Sequence, residues 1–302
     1  MEQLYKRYCS EKLDENGTLC DLQLQCPENF NFAYDVVDVL GREHPDKTAL
    51  VWCDIHGAER RFSFGDMMRL SSRAANFLAA RGVEKGDRVM LILKRHYEYW
   101  YVVLALHKLG AVVVPATHML TGEDIVYRVQ TAGISTIICT PESGVPENVT
   151  YARQHCDIPF QAFSVREELT GFERLDTAIE GYPDTFPRVQ NSREDPFIMY
   201  FTSGTTGYPK AVIHNYTYPL AHIVTAVHWQ CVQNNGLHLT VADTCWGKAS
   251  WGKLYGQWLA GCAVMVYDFD RFVAEDLMQI IERYRVTSFC APPTVYRFLI
   301  QH

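Results

Sequence analysis

From residue 63 onward the apolar positions recur with two periods that take turns along the chain. Met67, Leu70, Ala74, Phe77 and Leu78 fall at helical spacing until Gly82. The preceding Ser63-Phe64-Gly65-Asp66 has the S-x-x-D form of a capping box, so a helix is predicted to start there. Val89 to Leu93 is a continuous apolar run, the mark of a strand buried on both faces. Tyr97 to Leu109 predicts a largely apolar helix closed by Gly110, and Ala111 to Val114 another short strand. Thr121-Gly122-Glu123-Asp124 is a second capping box opening a helix that ends near Gly133, and Ser135 to Cys139 is the next strand. Strand and helix in turn predict βαβ units, which right-handed crossovers turn into a mostly parallel sheet covered by helices.

A second series follows. It holds a helix from about Tyr216 to Trp229, a strand from Ala263 to Tyr267, and a helix with Val273, Leu277, Ile280, Ile281 and Tyr284 on one face. Pro141 to Pro146 and Gly181 to Pro196 are rich in Pro, Gly and polar residues and predict loops or linkers. Residues 1 to about 32 are polar and irregular, with Asn16-Gly17 as a turn signal. The expected fold class is α/β, two mostly parallel βαβ sheets covered by helices. The expected organisation is an N-terminal arm at 1–32, a first α/β subdomain at 33–190 and a second, incomplete one at 191–302.

Composition narrows the class. At 48% hydrophobic and 21% charged residues, the chain has the make-up of a soluble globular protein of one large or two medium domains. A net charge of −7 without a Lys/Arg run argues against nucleic acid or an anionic membrane as the main partner. The most apolar span, Tyr97 to Val114, is broken by His107, Lys108 and Gly110, so no transmembrane segment is expected, and the start of the chain lacks the apolar core of a signal peptide. A cytoplasmic location is the expectation. No two of the ten cysteines are spaced C-x-x-C, and Cys53, Cys139, Cys262 and Cys290 lie within or beside apolar runs, as buried reduced thiols do. No zinc spacing occurs, so a metal would arrive with a nucleotide.

The densest chemistry lies at Thr202-Ser203-Gly204-Thr205-Thr206-Gly207-Tyr208-Pro209-Lys210. An apolar strand, Pro196 to Phe201, runs into it and an extended segment, Ala211 to His214, leaves it. Gly204 and Gly207 can turn backbone N–H groups toward an anion, the hydroxyls of Thr202, Ser203, Thr205 and Thr206 can donate further bonds, and Lys210 adds a full positive charge. Pro209 disfavours a helix inside the loop, so this phosphate cradle borrows no helix dipole. A plain Gly/Thr turn between strands is the bland alternative.

Other stretches compete less well. Gly247-Lys248-Ala249-Ser250-Trp251-Gly252-Lys253 fits G-x-x-x-x-G-K, but Leu254 stands where a Mg²⁺-binding hydroxyl belongs and Trp251 is bulky inside the supposed cradle. Neither Ser203 nor Ser250 lies in G-x-S-x-G, so a serine nucleophile is not expected. His214 could touch phosphate or substrate, or be an ordinary strand histidine. Trp246 and Trp251 sit in a Gly-rich segment and could line a cleft or simply pack, whereas the Tyr97 to Trp100 cluster reads as core.

The nine-residue loop, with its leading strand, resembles the signature of the adenylate-forming (AMP-binding) superfamily. The likeness covers almost the whole chain from about Pro27. Phe62 to Met68 resembles the family's early Tyr-x-Glu-Leu region in degenerate form, and Lys108 to Pro115 its Lys-x-Gly-Ala-x-x-x-Pro motif. Ala242-Asp243-Thr244-Cys245-Trp246, with Tyr255-Gly256, resembles a segment of acetyl- and medium-chain acyl-CoA synthetases, and Pro27 to Phe32 looks most like medium-chain members.

This resemblance implies an acid–thiol ligase that joins a carboxylic acid to AMP from ATP and passes the acyl group to coenzyme A. Thr202 to Lys210 would hold the β- and γ-phosphates with Mg²⁺, with Lys210 in the catalytic role. Trp246, Gly247, Lys248 and His214 would border the acid, and Lys248 would favour a substrate with a second polar group. The family's adenine motif, ribose-binding Asp, hinge and C-terminal domain with its catalytic Lys have no counterpart in these residues. The implied portion is therefore the N-terminal half of such an enzyme, expected to be inactive alone. A peptide-synthetase type of ligase and a non-catalytic nucleotide-binding module are the competing readings.

Overall fold

The computed structural model describes residues 3–203 and 207–301. In chain order the strands are β1 (Cys9–Leu13), β2 (Leu19–Leu24), β3 (Thr48–Asp54), β4 (Glu59–Ser63), β5 (Arg88–Ile92), β6 (Val112–Pro115) and β7 (Ile134–Cys139). They continue with β8 (Gln161–Ser164), β9 (Glu173–Arg174), β10 (Pro196–Thr202), β11 (Lys210–Asn215), β12 (Leu237–Thr240), β13 (Ala263–Asp268) and β14 (Ser288–Cys290). The chain forms two compact units, one of residues 68–216 with 244–247, the other of 1–67, 217–243 and 248–302.

In the first of these units a seven-stranded sheet has the order β11-β10-β6-β5-β7-β8-β9, and β11 alone runs antiparallel to its neighbour. Its central strands are the continuous apolar runs of the sequence. Val89 to Ile92 and Val112 to Val114 are each at most 1% exposed, because helices cover both faces. The helix Glu98–Leu109 is buried along all twelve residues. Two charges within it are met locally: Arg166 Nε lies 3.0 Å from Glu98 Oε1, and Lys108 Nζ donates to Ser72 Oγ at 2.8 Å. Gly110 then takes φ 77° and ends the helix.

The other unit holds a five-stranded sheet, β14-β12-β13-β3-β4, in which only β3 and β4 pair antiparallel. Two mostly parallel sheets flanked by helices are what the periodicity predicts. Both capping boxes form. Asp66 N–H donates to Ser63 Oγ at 3.1 Å while Ser63 N–H donates to Asp66 Oδ2 at 2.9 Å, and Thr121 and Asp124 make the same exchange.

Three local expectations change. The polar arm is not irregular throughout, since β1 and β2 pair as a hairpin whose turn is built by Asp14, with Asn16 and Thr18 N–H groups both donating to its Oδ1. The stretch read as a loop at 141–146 already contains the start of a helix, Val145–His155, with Pro146 in the first turn where its missing N–H costs nothing. The predicted single helix at 216–229 is an α-helix, Tyr218–Ile223, that widens to a π-helix over Val224–Trp229. Gly256 packs against that junction so closely that a Cβ there would stand 2.3 Å from the His222 carbonyl oxygen.

Candidate active site

Strand β10 sets the site. Phe197, Ile198, Met199 and Tyr200 are buried between layers, β10 runs parallel to β6 with Ile198 opposite Val113, and β11 returns antiparallel beside it. The hairpin register places Tyr200 opposite Val212, Phe201 opposite Ala211 and Thr202 opposite Lys210. Thr202 Oγ1 lies 3.5 Å from the Lys210 carbonyl oxygen. The loop therefore leaves the carboxyl end of β10, the end at which open parallel sheets present their ligand-binding loops.

Thr202, Ser203, Gly207 and Lys210 are all exposed, and Gly207 takes φ 93°, a conformation that a side chain would strain. Gly204, Thr205 and Thr206 lie outside the described residues. The second half of the loop is anchored from the helix Gly122–Ala132. Tyr127 donates its hydroxyl to the Pro209 carbonyl at 2.9 Å and stacks on Tyr208 at 5.1 Å between ring centres. The next residue, Arg128, lies over the Phe201 ring at 5.1 Å. Neither residue is signalled by the loop motif. They carry an amphipathic-helix pattern, and only the packing of that helix shows that its Tyr holds the loop.

His214 is half-buried on β11, 6.0 Å from the Tyr200 ring, and burial pulls its pKa below the usual imidazole value. A neutral ring at pH 7 can hydrogen-bond but adds no charge. Gly247 reaches the same strand pair, since a Cβ on it would lie 3.9 Å from Tyr200 Cζ. Trp246, beside it, is 64% exposed. The structure thus gathers Thr202, Lys210, His214 and Gly247 about β10 and β11. Lys248 belongs to the other compact unit, where its ammonium stands 5.9 Å from the Trp251 ring centre.

The rival G-x-x-x-x-G-K run makes no phosphate cradle. Gly247–Gly252 is a short helix in which neither glycine takes a positive φ, and the buried Lys253 donates to the Ala242 carbonyl. Cys53, Cys139, Cys262 and Cys290 are buried free thiols, as their apolar surroundings predict. Among the described residues no cluster of His, Cys, Asp and Glu is arranged for a metal, and no helix is long and apolar enough to cross a membrane.

A family model described as AMP-binding enzyme matches residues 38–302. The chain belongs to this family. It is 32% identical over 289 residues to acyl-coenzyme A synthetase ACSM3, mitochondrial, of Homo sapiens, covering 93% of this chain and 49% of that protein. It is 31% identical over 282 residues to the human acyl-coenzyme A synthetase ACSM5, mitochondrial, covering 91% and 48%. The chain spans about half the length of the curated relatives it matches. Among solved structures, an acyl-CoA synthetase of Brucella canis superposes with a TM-score of 0.79 at 23% identity over 90% of this chain and 49% of that chain, so the two share a fold.

Proposed function

We propose that this chain carries the polyphosphate loop and acid pocket of an ATP-dependent acyl-CoA synthetase acting on a medium-chain or related carboxylic acid. The observation that carries this reading is the β10–β11 hairpin, in which Thr202, Ser203, Gly207 and Lys210 are exposed at or beyond the carboxyl end of β10. Backbone N–H groups, hydroxyls and an ammonium are donors. Such a set suits the anionic oxygens of ATP and does not suit a bare cation. Mg²⁺ would then come bound to the phosphates, where it supplies further charge neutralisation.

In the proposed reaction a carboxylate oxygen bonds to the α-phosphorus and the bond to the β-phosphate breaks. The leaving pyrophosphate gains charge that Lys210 and the loop donors offset. The thiol of coenzyme A then attacks the acyl carbon and AMP departs. Gly207 keeps the backbone near the phosphates, and His214 and Gly247, both beside Tyr200, border the acid together with Trp246. Lys248 gives preference to acids carrying a second polar group, and Lys248→Leu should shift the ranking of fatty against polar acids. An unchanged ranking would remove that role.

The purified 302-residue chain should bind ATP weakly, lose that binding in Lys210→Ala, and make no acyl-CoA. Pyrophosphate release coupled to a carboxylate would overturn the inactivity, and ATP affinity indifferent to Lys210→Ala would overturn the loop assignment. Transfer to a carrier-bound thiol instead of coenzyme A would indicate a peptide-synthetase type of ligase. We also propose cytoplasmic residence, supported by the buried thiols of Cys53, Cys139, Cys262 and Cys290, which suit a reducing compartment. Cell fractionation tests it, and a mitochondrial location, the one in the names of the relatives above, would overturn it.

A further inference from the structure

The seven-stranded sheet reverses its strand order between β5 and β7. From β5 the chain steps to β6 on one side, then passes back to β7 on the other. The crevice beyond the carboxyl ends of two such strands is where open parallel sheets bind ligands. Lys94 stands two residues past β5 and Glu142 three past β7, with Lys94 Nζ 2.5 Å from Glu142 Oε2. His96 Nε2 lies 3.4 Å from the other carboxylate oxygen, and the Glu142 N–H donates to Thr140 Oγ1 at 3.3 Å. The hydrogen bond from His96, with the Lys94 ammonium, holds the Glu142 carboxyl down to about 2.

Lys94 is unusual twice over. Its side chain is 4% exposed, so its ammonium requires a counter-charge, and its φ of 46° is a left-handed conformation that a non-glycine residue keeps only where its surroundings hold it. The left-handed turn presents the Lys94 carbonyl to Thr244, which is 2% exposed and donates its hydroxyl to that oxygen from 150 residues further along the chain. Two and three residues beyond Thr244 come Trp246 and Gly247, the latter against Tyr200.

We propose that Lys94 and Glu142 are positioning residues for the acid pocket: their ion pair fixes the turn whose carbonyl holds Thr244, and Thr244 fixes where Trp246 and Gly247 stand beside Tyr200. The pair thereby sets which carboxylic acids fit. This deepens the function proposed above and rests on Trp246 and Gly247 bordering the acid.

Amide hydrogen exchange and equilibrium binding on the whole chain test it. Thr244→Val keeps the shape and removes the donor, and exchange at 244–247 should rise by about tenfold or more, while the helix Gly122–Ala132 exchanges as before. Glu142→Gln should do the same to a lesser degree, and Thr244→Ser should restore the unaltered rate. In Thr244→Val and Glu142→Gln the ratio of octanoate to acetate affinity should change by roughly threefold or more with ATP affinity unchanged. Unchanged exchange in Thr244→Val overturns the proposal, and so does raised exchange with an unchanged affinity ratio. If the unaltered protein binds neither acid, the pocket reading fails and takes the proposal with it. That outcome is recognisable because exchange would still respond to Thr244→Val.

Discussion

Two stretches of this chain spell glycines, hydroxyls and a lysine in nearly the same way, and they fold into opposite things. At 202–210 Thr202 and Lys210 face each other at the end of an antiparallel strand pair, Gly207 takes φ 93°, and Lys210 is exposed. At 247–253 they coil into a helix, and Lys253 is buried against the Ala242 carbonyl. A Cβ on Gly252 would come 2.8 Å from Thr240 Cγ2, so that glycine serves close packing, whereas Gly207 serves a conformation. What separates them is what flanks them. An apolar strand runs directly into Thr202, while residues 241–246 separate β12 from Gly247.

The largest effect expected from this contrast is on stability. Lys253→Ala removes a buried side chain and leaves a carbonyl without its donor, which should cost about 3 kcal/mol in denaturant unfolding. Lys210→Ala, at an exposed position, should leave stability within about 0.5 kcal/mol yet weaken ATP binding by roughly thirtyfold, near 2 kcal/mol for lost charge-assisted contacts. Equal stability losses in the two variants would break the contrast.

The pH dependence sharpens it. Thr240 donates its hydroxyl to the Gly252 carbonyl at 2.7 Å, so it accepts from His238 Nε2 at 2.8 Å, and Ser288 donates to His238 Nδ1 at 2.7 Å. That chain of bonds uses a neutral imidazole, and burial pulls the His238 pKa down to about 4. The unfolded chain binds this proton first as pH falls below about 6.5, so the stability is complete above that value and is lost on the way toward pH 4. His238 should contribute about 2 kcal/mol to the loss of unfolding stability between pH 7 and pH 5, beside the same-signed contribution of the buried His107, and His238→Gln should make the slope shallower by that share. The smallest effect belongs to the loop anchor. Tyr127→Phe loses one hydrogen bond to Pro209 and should weaken ATP binding by about fivefold at most.

Much of the frame was legible because its signals are local. The capping boxes at Ser63 and Thr121, the closing Gly110 and Gly133, and the apolar runs of β5, β6 and β7 each depend on neighbours within a few residues. The loop read the same way, as two strands with donors between. Tyr127 and Arg128 did not, because a helix face records that it is covered but not by what. Lys94 and Glu142 lie 48 residues apart and Lys94 and Thr244 lie 150 apart, so nothing at either position names the other.

By itself, then, the sequence determined the alternation of strand and helix, the pair of strands on either side of the Gly- and hydroxyl-rich stretch, and the family. The tertiary structure alone decided that β3 and β4, from early in the chain, pair into one sheet with β12, β13 and β14, and which residues of distant segments meet. Hydrophobic period and capping are set by contacts within a turn or two, whereas partner choice between sheets is set by burial summed over the whole fold.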